Sequence, residues 1–225
     1  MKMRILSAND VRQALPMADA IAGMKQAFAQ LSTDKAVVPL RGRVDVAPQQ
    51  GTTLVMPAYL SQSNDLAVKV VSVFPKNSER HEPTIYAAVL VLDAETGRPL
   101  ALMEGGTLTA IRTGAGAGAA TDLLARQDAT IVAILGSGVQ ARTQLEAVCT
   151  VRQIREVRVF SPTHEHAVDF AREMRGQGPI PGLIRIMSNV ETAVRGADII
   201  CAATTSSKPV FKSKDLSPGA HINGV

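Results

Sequence analysis

Residues 131–141 read IVAILGSGVQA, and this stretch decides the fold. The apolar run Ile131–Leu135 stops at Gly136, and Gly138 and Ala141 follow at the spacing of a glycine-rich turn that opens a helix. Gly136 permits the tight turn, Gly138 lets the backbone approach a phosphate, and Ala141 allows close packing of helix on strand. The N-terminus of the helix offers free N–H groups to an anion. The pattern predicts a dinucleotide-binding unit, whose cofactor contacts are Gly136, Gly138, Val139, Gln140 and Ala141.

The chain beyond this turn alternates short apolar strands with helical segments. This rhythm predicts a Rossmann-type, doubly wound α/β domain at 121–225 that binds NAD(P). The predicted strands are 131–135, 157–160, 183–187, 199–203 and 221–225, and the predicted helices are 139–148, 163–174 (capped by Thr163) and 190–194.

The first half of the chain has a different character, because strands and hairpins dominate it. We predict strands at 4–6, 37–46, 52–56 (ended by Pro57), 66–74, 85–92 and 100–103, the last two forming a hairpin, and a helical pattern over 11–31. A small-residue helix is predicted at 107–126. Its three glycines serve close approach either to another helix or to a ligand, and both alternatives stay open here; they are Gly114, Gly116 and Gly118.

Composition narrows the classes of protein. The 225 residues carry a net charge of +4 without a run of basic residues, so nucleic acid is not an expected partner. No apolar run approaches the length of a membrane span, and two cysteines without metal-ligand spacing suggest reduced thiols. His164 and His166 point to different helix faces, so no metal site is expected. We expect a cytoplasmic protein with no membrane partner.

Selectivity between NAD and NADP depends on the end of the second Rossmann strand. A carboxylate there binds the ribose diol of NAD, but this chain has Ser161-Pro162-Thr163. Hydroxyls do not repel a 2′-phosphate, and no arginine attracts one. NAD and NADP both stay open, with a slight preference for NADP and with Ser161 and Thr163 as candidate contacts.

Several longer motifs together resemble the ornithine cyclodeaminase/mu-crystallin family over the whole chain. They are GTTLVMPAYL at 51–60, LAVKVVSVFPKN at 66–77, PTIYAAVLVLDAETGRPLALMEGGTLTAIRTGAGAGAAT at 83–121, GSGVQAR at 136–142 and GAHINGV at 219–225. Taken alone, Lys69, Arg43 and Arg112 are ordinary residues; the resemblance gives them roles.

The resemblance implies a homodimer whose subunits combine a strand-rich α+β substrate and dimerisation domain, residues 1–120, with the nucleotide domain. Lys69 is similar to the family's active-site lysine. Arg43 and Arg112 are similar to its ligands for a substrate carboxylate, and Met56 to a position that lines the substrate pocket. The implied cofactor contacts outside the glycine turn are Thr84, Arg112, Thr113, Ala203, Thr204, Thr205 and Val225.

The family performs hydride transfer between nicotinamide C4 and the α-carbon of an amino acid or imine. The resemblance therefore implies a ketimine reductase, an amino-acid dehydrogenase or an ornithine cyclodeaminase, or else a crystallin-like binding protein without activity. His221-Ile222-Asn223-Gly224-Val225 is more similar to the reductase and dehydrogenase branches, which we favour. Family members run about a hundred residues further, so we expect a fragment that lacks the segment with the cyclodeaminases' catalytic aspartate.

Overall fold

The structure, a computed structural model, describes residues 2–225, and these form two compact units. The first unit contains the described residues up to Pro16 together with Lys25–Thr109, and the second contains Met17–Met24 and Ala110–Val225. The boundary therefore lies between 109 and 110 rather than at the predicted 120/121. Part of an N-terminal helix joins the second unit because Ile21 packs against Gly118.

The described residues form twelve strands and six α-helices. In chain order they are β1 (Arg4–Leu6), α1 (Ala8–Ala14), α2 (Met17–Ser32), β2 (Ala36–Val37), β3 (Gly42–Val46), β4 (Gly51–Leu60), β5 (Asp65–Val73), β6 (Ile85–Asp93), β7 (Pro99–Glu104), α3 (Gly105–Leu124), β8 (Ile131–Leu135), α4 (Val139–Val151), β9 (Glu156–Phe160), α5 (His164–Met174), β10 (Ile184–Ile186), α6 (Val190–Val194), β11 (Ile199–Ala202) and β12 (His221–Gly224).

The first unit is built on a seven-stranded sheet in the order β1-β7-β6-β5-β4-β2, with β3 also paired to β4. Only the β1–β7 pair is parallel among these strands. The predicted hairpin of β6 and β7 is confirmed. Asp93 Oδ1 accepts the N–H groups of Glu95 and Thr96, and Gly97 supplies the positive φ of 71° that the turn requires.

Pro57 does not end its strand, so the predicted end of 52–56 is wrong. β4 continues to Leu60, and Pro57 stays in register opposite Val68 of β5. On the other edge of β4, pairing with β3 ends at Val55 and pairing with β2 begins at Tyr59. Pro57 lies in that gap, where a missing N–H group leaves no ladder bond unmade.

The N-terminal helical pattern is two helices, since α1 ends before Pro16 and α2 begins at Met17. Proline lacks the N–H that would continue a helix from the preceding turn. Ser7 begins α1 with a capping box, in which Ser7 Oγ accepts the Asp10 N–H and the Asp10 carboxylate accepts the Ser7 N–H.

The second unit contains a five-stranded sheet in the order β10-β9-β8-β11-β12, with every pair parallel. This order confirms the doubly wound, Rossmann-type fold. Its central strands are apolar on both faces because helices cover both sides: one core lies under α4 and α5, and another under α6. The predicted N-cap position of Thr163 is also found, but its side chain makes no capping hydrogen bond.

Two of the α3 glycines serve helix packing. A Cβ on Gly114 would lie 2.5 Å from the Thr143 carbonyl oxygen, and one on Gly118 would lie 2.8 Å from Ile21 Cδ1 and 3.0 Å from Ala147 Cβ. These two positions thus allow α3 to approach its neighbours, which favours the packing alternative. No helix among residues 2–225 is long and apolar enough to cross a membrane.

Candidate functional site

The glycine turn lies at the topological switch point of the Rossmann sheet. β8 has β9 on one side and β11 on the other, so the loops that leave these strands diverge at the carboxyl end of β8. Gly136 has a φ of 114°, and a Cβ there would lie 2.0 Å from the Ala203 carbonyl oxygen. Its N–H donates to the Phe160 carbonyl at 2.8 Å. Only glycine fits this position, and ligands of open α/β sheets bind at this edge.

Gly138 is the N-cap residue of α4, and it provides space rather than a strained conformation. Its φ is −83°, no side chain caps the helix, and a Cβ would meet nothing within 4 Å. The first N–H groups of α4 are therefore available to an anion, including those of Val139, Gln140 and Ala141. Ala141 belongs to α4 and is buried where this helix packs on the sheet, as predicted. These features fit the pyrophosphate of a dinucleotide.

Arg142 secures this turn, and sequence reasoning missed it. Its Nε and Nη2 bind the Glu173 carboxylate on α5 at 2.6–3.0 Å, and its Nη1 donates to the carbonyls of Ser137 and Gly138. The hydrogen bonds that Arg142 donates to Glu173 raise the pKa of Arg142. The guanidinium also lies 5.5 Å from the ring centre of Phe170. The basic residue after GSGVQA was visible in the sequence, but its acidic partner 31 residues later was not.

The end of β9 presents hydroxyls beside the turn. Ser137 Oγ donates to Ser161 Oγ at 3.1 Å, which places Ser161 directly beside the glycine loop. Thr163, at the N-cap of α5, makes no side-chain capping bond. No carboxylate occupies residues 161–163, where an NAD-selective Rossmann domain has one.

The residues that follow β11 and β12 bring four more of the predicted cofactor contacts to the same edge of the sheet. Ala203 donates its N–H to Leu135 at the end of β8, and Val225 donates its N–H to Ala202 at the end of β11. Thr204 accepts the Ser206 N–H through Oγ1 at 3.2 Å, and Thr205 is exposed. Ala203 therefore lies against Gly136, and Val225 lies at the same carboxyl edge of the sheet, beyond β11.

Arg112 and Thr113 lie on α3, also in the second unit. The Arg112 side chain makes no hydrogen bond or ion pair with another described residue. Partial burial lowers the pKa of its guanidinium below the ordinary value. A cation without an acidic partner is suited to an anionic ligand. Thr113 buries its Oγ1 atom without a hydrogen bond among the described residues.

Three predicted site residues share one face of the sheet in the first unit. Met56 of β4 is the direct cross-strand partner of Lys69 of β5, and Arg43 of β3 pairs with Leu54, two residues before Met56. Directly paired residues project to the same side of a sheet, and residues two apart do so as well. The strands thus collect Arg43, Met56 and the half-buried Lys69 on one surface.

Arg43 is already engaged by an acidic neighbour that sequence reasoning did not assign. Its Nε lies 2.9 and 3.0 Å from the two Asp45 carboxylate oxygens, and Asp45 also accepts the Thr52 hydroxyl at 2.7 Å. The hydrogen bond from Arg43 lowers the pKa of Asp45. Alternation along β3 was the signal for this pair, since residues 43 and 45 share a face. Nη1 of Arg43 remains available for a ligand.

Thr84 precedes β6, in the connecting loop of the hairpin that β5 and β6 form. Its carbonyl oxygen accepts the Phe74 N–H at 2.8 Å, which fixes its backbone beside the end of β5. Thr84 lies in the first unit and the glycine turn in the second, so the predicted contacts are divided between the two units.

Comparison with known proteins gives a consistent assignment. A family profile described as "Ornithine cyclodeaminase/mu-crystallin family" matches residues 1–225. A Delta(1)-pyrroline-2-carboxylate reductase from Bacillus cereus is 39% identical over 223 residues, which cover 99% of this chain and 68% of that protein. This chain therefore spans about two thirds of that relative's length.

Two solved structures are also similar. The Thermococcus litoralis Delta(1)-pyrroline-2-carboxylate reductase, in complex with NADH and L-proline, superposes with a TM-score of 0.91 at 43% identity, covering 99% of this chain and 68% of that one. An archaeal alanine dehydrogenase dimer with bound NAD gives 0.89 at 31% identity, covering 99% and 67%. With the family profile matching from end to end, this chain belongs to the ornithine cyclodeaminase/mu-crystallin family.

Proposed function

We propose that this chain is an NAD(P)-dependent reductase that transfers a hydride to the imine carbon of Δ1-pyrroline-2-carboxylate or a closely related cyclic ketimine. The observation that carries the proposal is the 43% identity, over 99% of this chain, to a reductase whose structure contains NADH and L-proline. The chain's own residues supply the parts that such a reaction needs, in two groups.

The second unit supplies the cofactor contacts. Gly136 and Gly138 form the turn, the first N–H groups of α4 bind the pyrophosphate, and Arg142 holds the turn in place. Ser161 and Thr163 take the adenosine ribose, and their hydroxyls leave room for either a diol or a 2′-phosphate. When bound, the nicotinamide supplies the hydride. The remaining proposed contacts are Thr84, Arg112, Thr113, Ala203, Thr204, Thr205 and Val225.

Two arginines bind the substrate's carboxylate. Arg112 has no acidic partner among the described residues, and its partly desolvated guanidinium gains most from a bidentate carboxylate. Arg43 uses its available Nη1 while Asp45 keeps Nε in place. Fixing the carboxylate fixes the adjacent imine carbon, and positioning of this kind supplies a large part of the rate of a two-substrate reaction.

Lys69 handles the proton. A cyclic ketimine accepts a hydride more readily when its nitrogen is protonated, because the iminium carbon is more electrophilic. We assign to the Lys69 ammonium the role of holding or donating that proton, with Met56 beside it as an apolar wall. The balance is one hydride to carbon and one proton to nitrogen, which converts the imine to the saturated amine.

A pair of assays tests this function. A reductase consumes NADPH or NADH when Δ1-pyrroline-2-carboxylate is added, whereas a cyclodeaminase releases ammonia from ornithine without net change in cofactor absorbance. We expect the first result and not the second. Lys69→Met should reduce kcat by roughly 100-fold or more while the cofactor Kd stays within about twofold. Unchanged kcat would remove Lys69 from the mechanism.

We further infer a homodimer located in the cytoplasm. The sheet face opposite Lys69 exposes several apolar side chains, and such a surface is typical of a protein–protein interface; they include Val44, Val55, Val70 and Tyr86. A similar alanine dehydrogenase is described as a dimer. Both cysteines are free and buried, in keeping with a reducing compartment. Light scattering on the purified chain measures the assembly state.

A further inference from the structure

Three side chains of the second unit bury polar atoms that lack a hydrogen bond to any described residue. They are Thr113 Oγ1 on α3, and on α4 Gln140 Oε1 and both amide atoms of Gln144. Gln144 is the strongest case, because its side chain is fully buried at 0% exposure. A buried amide that makes no hydrogen bond is strongly unfavourable, so these atoms require a partner that the described residues do not provide.

The packing of α3 on α4 places Thr113 and Gln144 on the same side of the contact between the two helices. Gly114 meets Thr143, and one turn further along both helices Gly118 meets Ala147, so the helices cross in a parallel sense. Two parallel right-handed helices that touch have one contact residue each. The residue that precedes the contact residue on the first helix and the residue that follows it on the second project to the same side of the plane that contains the two helix axes. Thr113 precedes Gly114, and Gln144 follows Thr143.

Gln140 joins this cluster because it lies one helical turn before Gln144. Residues at i and i+4 are neighbours on the same helix face. The cluster thus contains a hydroxyl, an amide oxygen and a complete amide group, which offer both donors and acceptors. None of the three carries a charge, and a small neutral partner that both donates and accepts hydrogen bonds matches this set.

We propose that Thr113, Gln140 and Gln144 enclose an internal water site between α3 and α4, and that Gln144 acts through it as a positioning residue for the cofactor turn. A buried water typically makes about three hydrogen bonds to polar groups that otherwise lack partners, which is the number of side chains available here. The water couples the segment of α3 that carries Arg112 to the first turn of α4. The part that concerns the cofactor rests on the proposed function.

A crystal structure at high resolution tests the site directly. We expect an ordered water within about 3.2 Å of Thr113 Oγ1 and of a Gln144 amide atom, both without cofactor and with NADPH bound. Empty density would overturn the proposal. So would a Gln144 amide that hydrogen-bonds to protein atoms or directly to the cofactor. This measurement decides the water site even if the protein proves not to bind NADPH.

The Gln144→Met variant tests the positioning role, since it keeps the side-chain size and removes the hydrogen bonds. We expect loss of the water, roughly tenfold faster amide exchange in the first turn of α4, and a several-fold higher Kd for NADPH. Two controls separate this from general destabilisation. Ile21→Val loosens the contact with Gly118 without touching the cluster, and Gln177→Met makes the same change at an exposed site.

Both controls should leave the Kd for NADPH unchanged. An equal Kd in Gln144→Met and wild type would refute the positioning role. A Kd that rises equally in Gln144→Met and Ile21→Val would show a structural effect alone and would refute it as well. If wild-type protein binds neither NADPH nor NADH, the proposed function fails, and the crystallographic arm judges the water site separately.

Discussion

Gly136 and Gly138 lie two residues apart and have opposite physical reasons for being glycine. Gly136 combines a left-handed φ of 114° with an adjacent carbonyl oxygen, so any side chain conflicts with the protein itself. Gly138 has an ordinary φ and open space around its missing Cβ. The fold requires the first glycine, and we propose that the ligand requires the second.

Substitution at these glycines should therefore separate stability from binding. Gly136→Ala should lower the free energy of unfolding by at least about 1–3 kcal/mol because of the backbone conformation alone. Gly138→Val should change that free energy by about 1 kcal/mol or less, yet raise the Kd for NADPH roughly tenfold or more. Thermal unfolding and fluorescence titration measure the two effects. Normal NADPH binding by a folded Gly138→Val protein would exclude the pyrophosphate assignment.

At the same scale, we propose that Ser161 influences the choice of cofactor. Its hydroxyl lies beside the glycine turn, where a carboxylate would bind the ribose diol and repel a 2′-phosphate. Ser161→Asp should weaken NADPH binding at least about tenfold while NADH binding is kept or improved. The ratio of the two Kd values is the measurement. A ratio that matches wild type would show that the adenosine ribose lies elsewhere. Ser32→Asp, at the exposed end of α2 in the first unit, serves as the matched control.

At the scale of elements, α3 shows packing overriding helix propensity. Glycine is about 1 kcal/mol less favourable than alanine in a helix interior, and propensity alone predicts that Gly114→Ala stabilises the protein. The structure reverses this expectation, because the added Cβ would lie 2.5–2.7 Å from atoms of Thr143. Buried Arg152 fixes the other end of the helix by donating to the carbonyls of Thr121 and Ala125.

A matched pair of glycine substitutions tests this interpretation of α3. Gly114→Ala should destabilise the protein by roughly 1–3 kcal/mol. Gly23→Ala, in α2 with nothing within 4 Å of its Cβ, should stabilise it by up to about 1 kcal/mol. Urea unfolding of both variants gives the comparison. The same sign for both would contradict the close approach of α3 and α4.

Elements with local signals were predictable, and those that depend on distant partners were not. The Rossmann strands were found because continuous apolar runs followed by glycine or cap residues have few other interpretations. Pro57 was taken as a strand end because the gap between β3 and β2 that accommodates it involves strands far away in sequence. Arg142 was passed over for the same reason, since Glu173 approaches only after α5 has folded onto α4.

The residues of the candidate site also divide into those with a local sequence signal and those without one. The glycine turn and Ser161 were identified from spacing, because the motif itself fixes their geometry. Lys69, Arg43 and Arg112 were identified from a family resemblance, since alone each is an ordinary charged residue. Asp45, which holds Arg43, and Gln144, buried without a partner, became visible only when strand register and burial were known.

At the scale of the whole molecule, the two buried thiols make the stability of the folded state depend on pH in the alkaline range. Burial raises the pKa of Cys149 and of Cys201 to about 12. The folded state therefore keeps both protons at pH values where the unfolded chain has lost them. The stability that this contributes is complete below about pH 9 and falls as the pH rises toward 12.

Native protein at pH 8 should thus resist a thiol-specific reagent, and protein in urea should react at both cysteines. Between pH 8 and 10 the midpoint of urea unfolding should fall more for wild type than for a Cys149→Ala/Cys201→Ala variant. Rapid labelling of the native protein, or equal pH dependence in the two proteins, would contradict the burial of these groups.

We propose that a hydride passes from nicotinamide C4 to the imine carbon of a cyclic α-imino acid. This transfer is tested most directly with NADPH deuterated at the transferred C4 position, Δ1-pyrroline-2-carboxylate and mass spectrometry of the product. We expect proline with a single deuterium, located at C2. Unlabelled proline, or no proline from protein that binds the deuterated cofactor, would contradict it.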